Sequence, residues 1–322
     1  MDMARWSRLA LAAAVFLAVA PPARAAEPPP AWAYPVNPPG LQPPADDGTR
    51  HRVPGSDRSF TWSDLRNLFQ VPDWHPQDHP PMPDIVEHGA KPGVFACGFC
   101  HLPNGLGRPE NASLAGLPAS YIIQQVHDFR SGVRRSAEPA SLPINFMTAT
   151  AKHVNDEDLR IAAEYFESLR PRPWIRVVET DTVPKTEVGG WMLIEAKQGG
   201  REPIGTRIIE MPEDLERTEF RDPGSGFIAY VPVGSVRRGE ALASGAQGGM
   251  TACAACHGAG LKGLGPVPAL AGRSPSYLVR QLFDIKHGTR NGAWAALMKP
   301  VVEQMSLEDM VDIAAYTASL AP

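Results

Sequence analysis

The chain has no surplus of positive charge: 31 basic side chains stand against 35 acidic ones over 322 residues. Nothing is available to neutralise a phosphate backbone, so no nucleic-acid partner is expected. Cysteine is scarce, with four in all. Aromatics make up only 7%, yet 43% of the residues are apolar, enough to build a core and exclude wholesale disorder. Long apolar runs are also missing: beyond the first 25 residues no segment reaches the roughly 20 residues a membrane span needs. What is abundant is proline, 34 in total, with sixteen between Pro21 and Pro83. Proline fixes φ and removes a backbone donor, so this front quarter cannot be ordinary helix or sheet. The length suits two modest domains better than one large core.

Residues 1–25 have the form of a secretory signal: Arg5 and Arg8, an apolar run from Leu9 to Ala20, then Ala23-Arg24-Ala25 as a small-residue cleavage site. Cleavage after Ala25 removes Asp2, Arg5, Arg8 and Arg24 and changes the formal charge from −4 to −6. The expectation is an exported, mildly acidic, soluble protein of a bacterial periplasm.

Four cysteines in an exported chain would ordinarily suggest two disulfides. Their spacing argues otherwise. They form Cys97-Gly98-Phe99-Cys100-His101 and Cys253-Ala254-Ala255-Cys256-His257, two C-x-x-C-H runs with no cysteine left over. This is the attachment signature of c-type haem. On one helical turn, positions i, i+3 and i+4 share a face, so both thiols reach the haem vinyl groups while the histidine meets the iron. Two covalently bound haems c are therefore expected on Cys97 and Cys100, and on Cys253 and Cys256, with His101 and His257 as iron ligands. Zinc is disfavoured because the pairs lie far apart and each carries its own histidine.

The chain also repeats itself. A shift of 156 aligns residues 97–134 with 253–290 without a gap, and 13 of the 38 positions are identical. They include Leu114-Ala115-Gly116 with Leu270-Ala271-Gly272, and Tyr121, Gln125, Asp128 and Arg134 with Tyr277, Gln281, Asp284 and Arg290. Shifted by 151, Met147 meets Met298, Glu157-Asp158 meets Glu308-Asp309, and Tyr165 and Leu169 meet Tyr316 and Leu320. Each copy is expected to be α-helical: a short helix into the pentapeptide, a Gly- and Pro-rich loop, a helix near Tyr121 or Tyr277, and a final helix capped by Asn155 or Ser306. Helical spacing of Leu159, Ala162, Ala163, Phe166 and Leu169, and of Met310, Ile313, Ala314, Thr317 and Leu320, predicts one buried face on each final helix.

A haem iron held by one histidine has a sixth position. Between His101 and the central segment Met147 is the only methionine. In the second copy Met298, Met305 and Met310 compete, and only Met298 aligns with Met147; Met305 aligns with Val154 and Met310 with Leu159, both core-like positions. Met147 and Met298 are the expected sixth ligands.

On these residues the chain resembles the class I c-type cytochromes, in particular periplasmic dihaem cytochromes c built of two tandem modules. The resemblance covers about residues 84–170 and 236–322, and implies His/Met-ligated haem in each module, pseudo-twofold packing, and one-electron shuttling between redox partners. The expected organisation is mainly α: signal peptide 1–25, Pro-rich extended arm 26–83, cytochrome c domain 84–170, β-rich insert or linker 171–235, and cytochrome c domain 236–322. Leu102 departs from the family pattern, which has glycine after the histidine. So does the insert from Arg176 to Val233, where the family has a short linker. Its runs Trp174–Val178, Trp191–Ile194, Thr206–Glu210 and Phe227–Val231 predict a small antiparallel sheet.

Other residues are expected to be structural. His75 and His79 lie near Asp73 and Asp78, but Pro76 breaks the helical face a metal site would want, so solvated or hydrogen-bonding histidines are preferred. His127, His153 and His287 lack counterparts in the other copy and are assigned to the surface. Arg134 and Arg290 fit two roles equally, neutralising haem propionates or meeting a helix dipole. Tyr121 and Tyr277 are expected to anchor a helix to the core.

The leading functional expectation is a non-enzymatic electron carrier with redox protein partners and possible peripheral association with a membrane redox complex. Its acidic balance favours a partner with a basic docking patch and salt-sensitive association. The rivals are a dihaem peroxidase or small-substrate dehydrogenase, which would need an open iron, and a cytochrome subunit of a dehydrogenase complex. No cysteine remains for the thiolate ligation that some sulfur-oxidising dihaem enzymes use.

Overall fold

The computed structural model describes residues 27–246 and 251–322. The expected signal segment and its cleavage point lie outside the described residues. Among the described residues no helix is long and apolar enough to cross a membrane.

After a short α1 (Trp62–Leu65), a first helical unit comprises α2 (Asp84–Glu87), α3 (Cys97–His101), α4 (Ala119–Arg130), α5 (Leu142–His153) and α6 (Asp156–Ser168). Seven strands and α7 (Leu215–Glu219) follow, and then a second unit of α8 (Ser235–Ala243), α9 (Ala254–His257), α10 (Pro275–Lys286), α11 (Ala295–Val302) and α12 (Leu307–Ser319). The α-helices of the two units match one for one from α3 and α9 onward, as the sequence repeat requires. Asn155 and Ser306 cap the final helices, accepting from the amides of Asp158 at 2.8 Å and Asp309 at 3.1 Å.

The final helices differ in burial. In α6 the buried positions form a stripe containing Leu159, Ala162, Ala163 and Phe166. In α12 Val311, Asp312, Ala315 and Ala318 are buried as well, so the expected single buried face is too narrow. The cause is α8, which crosses α12 so closely that a Cβ on Gly239 would lie 1.9 Å from the Asp312 carbonyl. Arg238 then closes on Asp312 with two hydrogen bonds, Nε to Oδ2 at 2.7 Å and NH2 to Oδ1 at 2.8 Å.

Between the units run β1 (Ile175–Glu179), β2 (Thr182–Pro184), β3 (Thr186–Gly189), β4 (Met192–Glu195), β5 (Arg201–Pro203), β6 (Ile209–Pro212) and β7 (Phe227–Val231). The expectation of a single antiparallel sheet needs correction. β6 and β7 are antiparallel, but β1 pairs with β7 in parallel, and β2–β5 and β3–β4 form separate antiparallel ribbons. A parallel pair needs a long crossover, which the intervening strands and α7 supply. Trp191 belongs to a turn, not a strand: Gly190 and Trp191 both have positive φ, +59° and +62°, as the tight β3–β4 hairpin demands. Thr206 likewise follows Gly205 in a turn, and the strand begins at Ile209.

The Pro-rich segment has little backbone pairing of its own and is held by spaced side chains. Ala33 and Tyr34 are buried in the core of the second unit. Val53, Leu65 and Trp74 form a cluster with Phe220 of the insert, and Val71 joins Ala96 and Phe99 of the first unit. The arm's helix, α1, is closed at its start by a Thr61–Asp64 capping box.

Candidate functional site

Cys97, Cys100 and His101 lie on the single turn of α3, and Cys256 and His257 on α9 with Cys253 at its N-cap. None of the four thiols is in a disulfide. The two histidines are held identically: His101 Nδ1 lies 2.8 Å from the Ala112 carbonyl, and His257 Nδ1 lies 2.8 Å from the Pro268 carbonyl, each eleven residues on. A carbonyl only accepts, so Nδ1 carries the hydrogen and Nε2 keeps its lone pair. Burial pushes both imidazoles below the usual histidine range, which keeps them neutral. A neutral imidazole with Nδ1–H anchored on a carbonyl is the arrangement a metal-bound histidine needs. Burial also pushes the Cys97 thiol up to about 12 and raises Cys100 and Cys253. Redox dithiols are built the opposite way, around a stabilised thiolate. The donor set fits covalent haem at both sites.

Met147 lies on α5, half-buried at the edge of the first core cluster, which Cys97 also borders. Met298 lies on α11 at the edge of the second cluster. Met305 and Met310, the alternatives, are 2% and 1% exposed within that core.

The surroundings of the two pentapeptides differ. At the first, Leu102 takes φ +63°, where the second unit has Gly258 at +76°. The strained residue is buried, and the Pro103 carbonyl beside it accepts from Tyr165 Oη at 2.7 Å. Arg221 from the insert lies 3.7 Å over the Phe99 ring and donates to the Phe99 carbonyl at 3.0 Å. Asn104 Nδ2 donates to the Pro223 carbonyl at 3.0 Å, and the Ala96 amide to Leu68 of the arm at 2.9 Å. Arm and insert thus cover the first turn. At the second, Cys256 is exposed, as are Leu264 and Leu297.

Arginines also grip the loop that carries the first histidine's acceptor. Arg273 donates to the carbonyls of Ser113 at 2.6 Å and Ala115 at 3.3 Å, Arg108 to that of Thr218 at 3.1 Å, and Arg280 to that of Pro109. No spacing rule marks these residues in the sequence.

Arg134, Arg290, Tyr121 and Tyr277 meet at the boundary between the units. Arg134 donates to Tyr277 Oη and Gln281 Oε1, each at 3.1 Å. Arg290 donates to Tyr121 Oη and Gln125 Oε1, each at 2.8 Å. Each tyrosine hydroxyl meets the arginine of the opposite unit, while Tyr121 also packs on the core of its own, and the arginines join the two units about a pseudo-twofold axis. The recurrence of Gln125 and Gln281 was the available signal, since a repeated polar residue at a repeated burial position needs a partner. His287 is also corrected: it is half-buried and stacks on Phe283 at 3.9 Å. His75 Nε2 lies 3.2 Å from Asp222 and His79 Nε2 3.2 Å from Asp73, both hydrogen-bonded.

A family model described as Cytochrome c matches residues 239–321. A cytochrome c4 from Azotobacter vinelandii is 27% identical over 229 residues, covering 70% of this chain and 84% of the relative. A thiosulfate dehydrogenase electron acceptor from Stutzerimonas stutzeri is 27% identical over 238 residues, covering 73% of this chain and 83% of the relative. Cytochrome c-554(548) from Halomonas halodenitrificans is 46% identical over 68 residues, 21% of this chain and 82% of the relative. Among solved structures, a thiosulfate dehydrogenase (TsdBA) from Marichromatium purpuratum matches with a TM-score of 0.50 at 26% identity, covering 73% of this chain; the match spans 39% of that chain.

Proposed function

The chain belongs to the cytochrome c family, as a tandem dihaem protein similar to cytochromes c4, and from that premise we propose that it ferries single electrons between protein partners while performing no bond-making chemistry. It carries two covalently bound c-type haems, and its task is electron transfer. When bound, the haem iron supplies the reversible Fe(II)/Fe(III) couple. Cys97, Cys100, Cys253 and Cys256 attach the two groups, His101 and Met147 ligate one iron, and His257 and Met298 the other. The functional units are residues 84–170 and 236–322, with the arm 26–83 and the insert 171–235 as braces, and the mature protein resides in the periplasm.

The observation that carries this reading is the repeated hydrogen bond from each histidine Nδ1 to a carbonyl eleven residues on. It fixes ring orientation and tautomer in both units without any change of protonation. Arg221 and the arm exclude water from the first pentapeptide. The Arg134–Arg290 junction holds the units in one relative position. Because arm and insert cover the first turn, exchange with partners falls to the second unit. The acidic balance favours a partner with a basic docking face and makes association weaken with salt. Similarity to a relative named as a thiosulfate dehydrogenase electron acceptor supports a thiosulfate dehydrogenase as the donor.

The test is optical and magnetic spectroscopy of the oxidised and reduced mature protein beside Met147→Ala and Met298→Ala. The expected result is two low-spin, sulfur-ligated haems, each losing its sulfur signature in one variant. A native high-spin iron that turns over peroxide at enzymatic rates would overturn the reading.

A further inference from the structure

A cavity of about 10 Å³, room for roughly one water molecule, lies where four parts of the chain meet. Its walls include Trp32 of the arm, Glu110 of the first unit, Trp191 and Glu210 of the insert, and Ser276 and Arg280 of the second unit. Glu210 is 3% exposed and Glu110 9%. Each has one carboxylate oxygen satisfied and one with no partner among the described residues. Glu210 Oε2 accepts from Ser274 Oγ at 2.7 Å, Ser276 Oγ at 2.5 Å and the Ser276 amide at 3.0 Å, while Oε1 has none. Glu110 Oε1 accepts from Arg108 Nε at 2.7 Å and Asn111 Nδ2 at 3.2 Å, while Oε2 has none.

The charged groups facing Glu210 are few. Arg280 on α10 lends it positive potential, but its guanidinium donates to the carbonyls of Ala33, at 2.8 Å, and Pro109. Arg108 is committed to Glu110. The arm, the β3–β4 turn and β4 contribute Trp32, Pro35, Trp191, Met192 and Leu193, none of them titratable. An unpaired buried carboxylate oxygen is costly, and two beside one cavity more so; a proton on one of them removes a charge and provides a donor. Glu210 has the greater need, since Glu110 holds a direct ion pair. Burial accordingly raises the Glu210 carboxyl above the usual carboxylate range.

The cavity connects to the first haem site through the backbone. Glu110 stands two residues before Ala112, whose carbonyl accepts the His101 Nδ1 hydrogen bond. We propose that Glu210 is a proton-binding site coupled to the oxidation state of the first unit: it holds a proton while that unit is reduced and releases it to water when the electron leaves for the acceptor. This rests on the electron-transfer reading above. The balance is one electron to the acceptor and one proton to solvent on oxidation, and the reverse on reduction. The sign follows from electrostatics: oxidation adds one positive charge to the unit, which lowers the proton affinity of Glu210, so the potential falls as pH rises between its two affinities and is flat outside them.

The test is spectroelectrochemical titration of the full haem-loaded protein across pH, for wild type, Glu210→Gln and Ser276→Ala, with reduced-minus-oxidised infrared difference spectra. In wild type one potential falls with pH over a window above the usual carboxylate range; in Glu210→Gln that dependence disappears. Ser276→Ala removes the Oγ donor to the carboxylate, leaving the backbone amide, and moves the window to higher pH. The wild-type infrared spectrum shows a protonated-carboxyl C=O band that is lost in Glu210→Gln. Should Glu210→Gln fail to fold, the wild-type band and the Ser276→Ala displacement decide. Equal pH dependence in all three proteins, or no carboxyl band in wild type, overturns the proposal. Absence of any reversible one-electron couple would instead overturn the electron-transfer reading.

Discussion

Arg134 and Arg290 face each other in an antiparallel bridge across the boundary between the units, each donating to a glutamine of both units. Adjacent backbone bonds, Arg135 to Thr289 and Asn291 to Val133, both at 2.7 Å, continue the contact. The like charges are tolerated because Gln125, Gln281, Tyr121 and Tyr277 surround them with acceptors.

Arg134→Ala and Arg290→Ala should each cost about 1.5–3 kcal/mol, the range for hydrogen bonds to a charged group. Because the two share Gln125 and Gln281, the double variant should cost less than the sum. Denaturant unfolding of the haem-loaded proteins measures this. Strict additivity would show that the two arginines act independently.

Gly258→Ala should destabilise the second unit by about 1–3 kcal/mol, the cost of holding a side chain in a strained backbone region. At φ +76° a Cβ there would lie 2.3 Å from the Gly263 carbonyl. The first unit already carries a side chain at this position in Leu102, at φ +63°. Thermal unfolding followed separately at the two haems should therefore show the loss in the second unit alone.

Local periodicity made much of this molecule legible in the sequence. The C-x-x-C-H turns, the caps at Asn155 and Ser306, and the apolar stripe of α6 depend on residues within a few positions of one another. What stayed hidden depends on distant contacts. Asp312 is polar yet buried because Arg238 reaches it from α8, so no stripe on α12 alone predicts its burial. The parallel β1–β7 pair joins segments about fifty residues apart, and strand propensity carries no direction. At the sites, the attachment residues were visible from spacing, whereas Arg221, Arg273 and Glu210 act through backbone carbonyls and hydroxyls brought near by the tertiary fold.

Asp46 should make the arm's attachment acid-sensitive. Hydrogen bonds from Ser63 and from the Gly48 amide hold its carboxyl down at about 2, below the usual carboxylate range. A depressed folded value gives stability that is present above the unfolded value near 3.8 and is lost as pH falls towards 2. Wild type should accordingly resist proteolysis within residues 38–60 better than Asp46→Asn at neutral pH, and the two should converge near pH 2 under an acid protease. A difference that persists at pH 2 would assign the effect to something other than the carboxylate.

Arg221→Ala should lower the potential of the first haem and leave the second unchanged. Two effects act in the same direction. The variant removes a positive charge placed 3.7 Å over Phe99, within the haem-binding turn, and a nearby cation favours the reduced iron. It also opens the cover over that turn, because Arg221 bridges the Phe99 carbonyl at 3.0 Å and the Leu65 carbonyl at 3.2 Å, and admitted water stabilises the oxidised iron. Arg221→Gln loses the charge but keeps amide donors, so its potential should lie between those of wild type and Arg221→Ala. Spectroelectrochemical titration of the three proteins checks the order; equal potentials in all three would mean that the insert braces the first unit without tuning it.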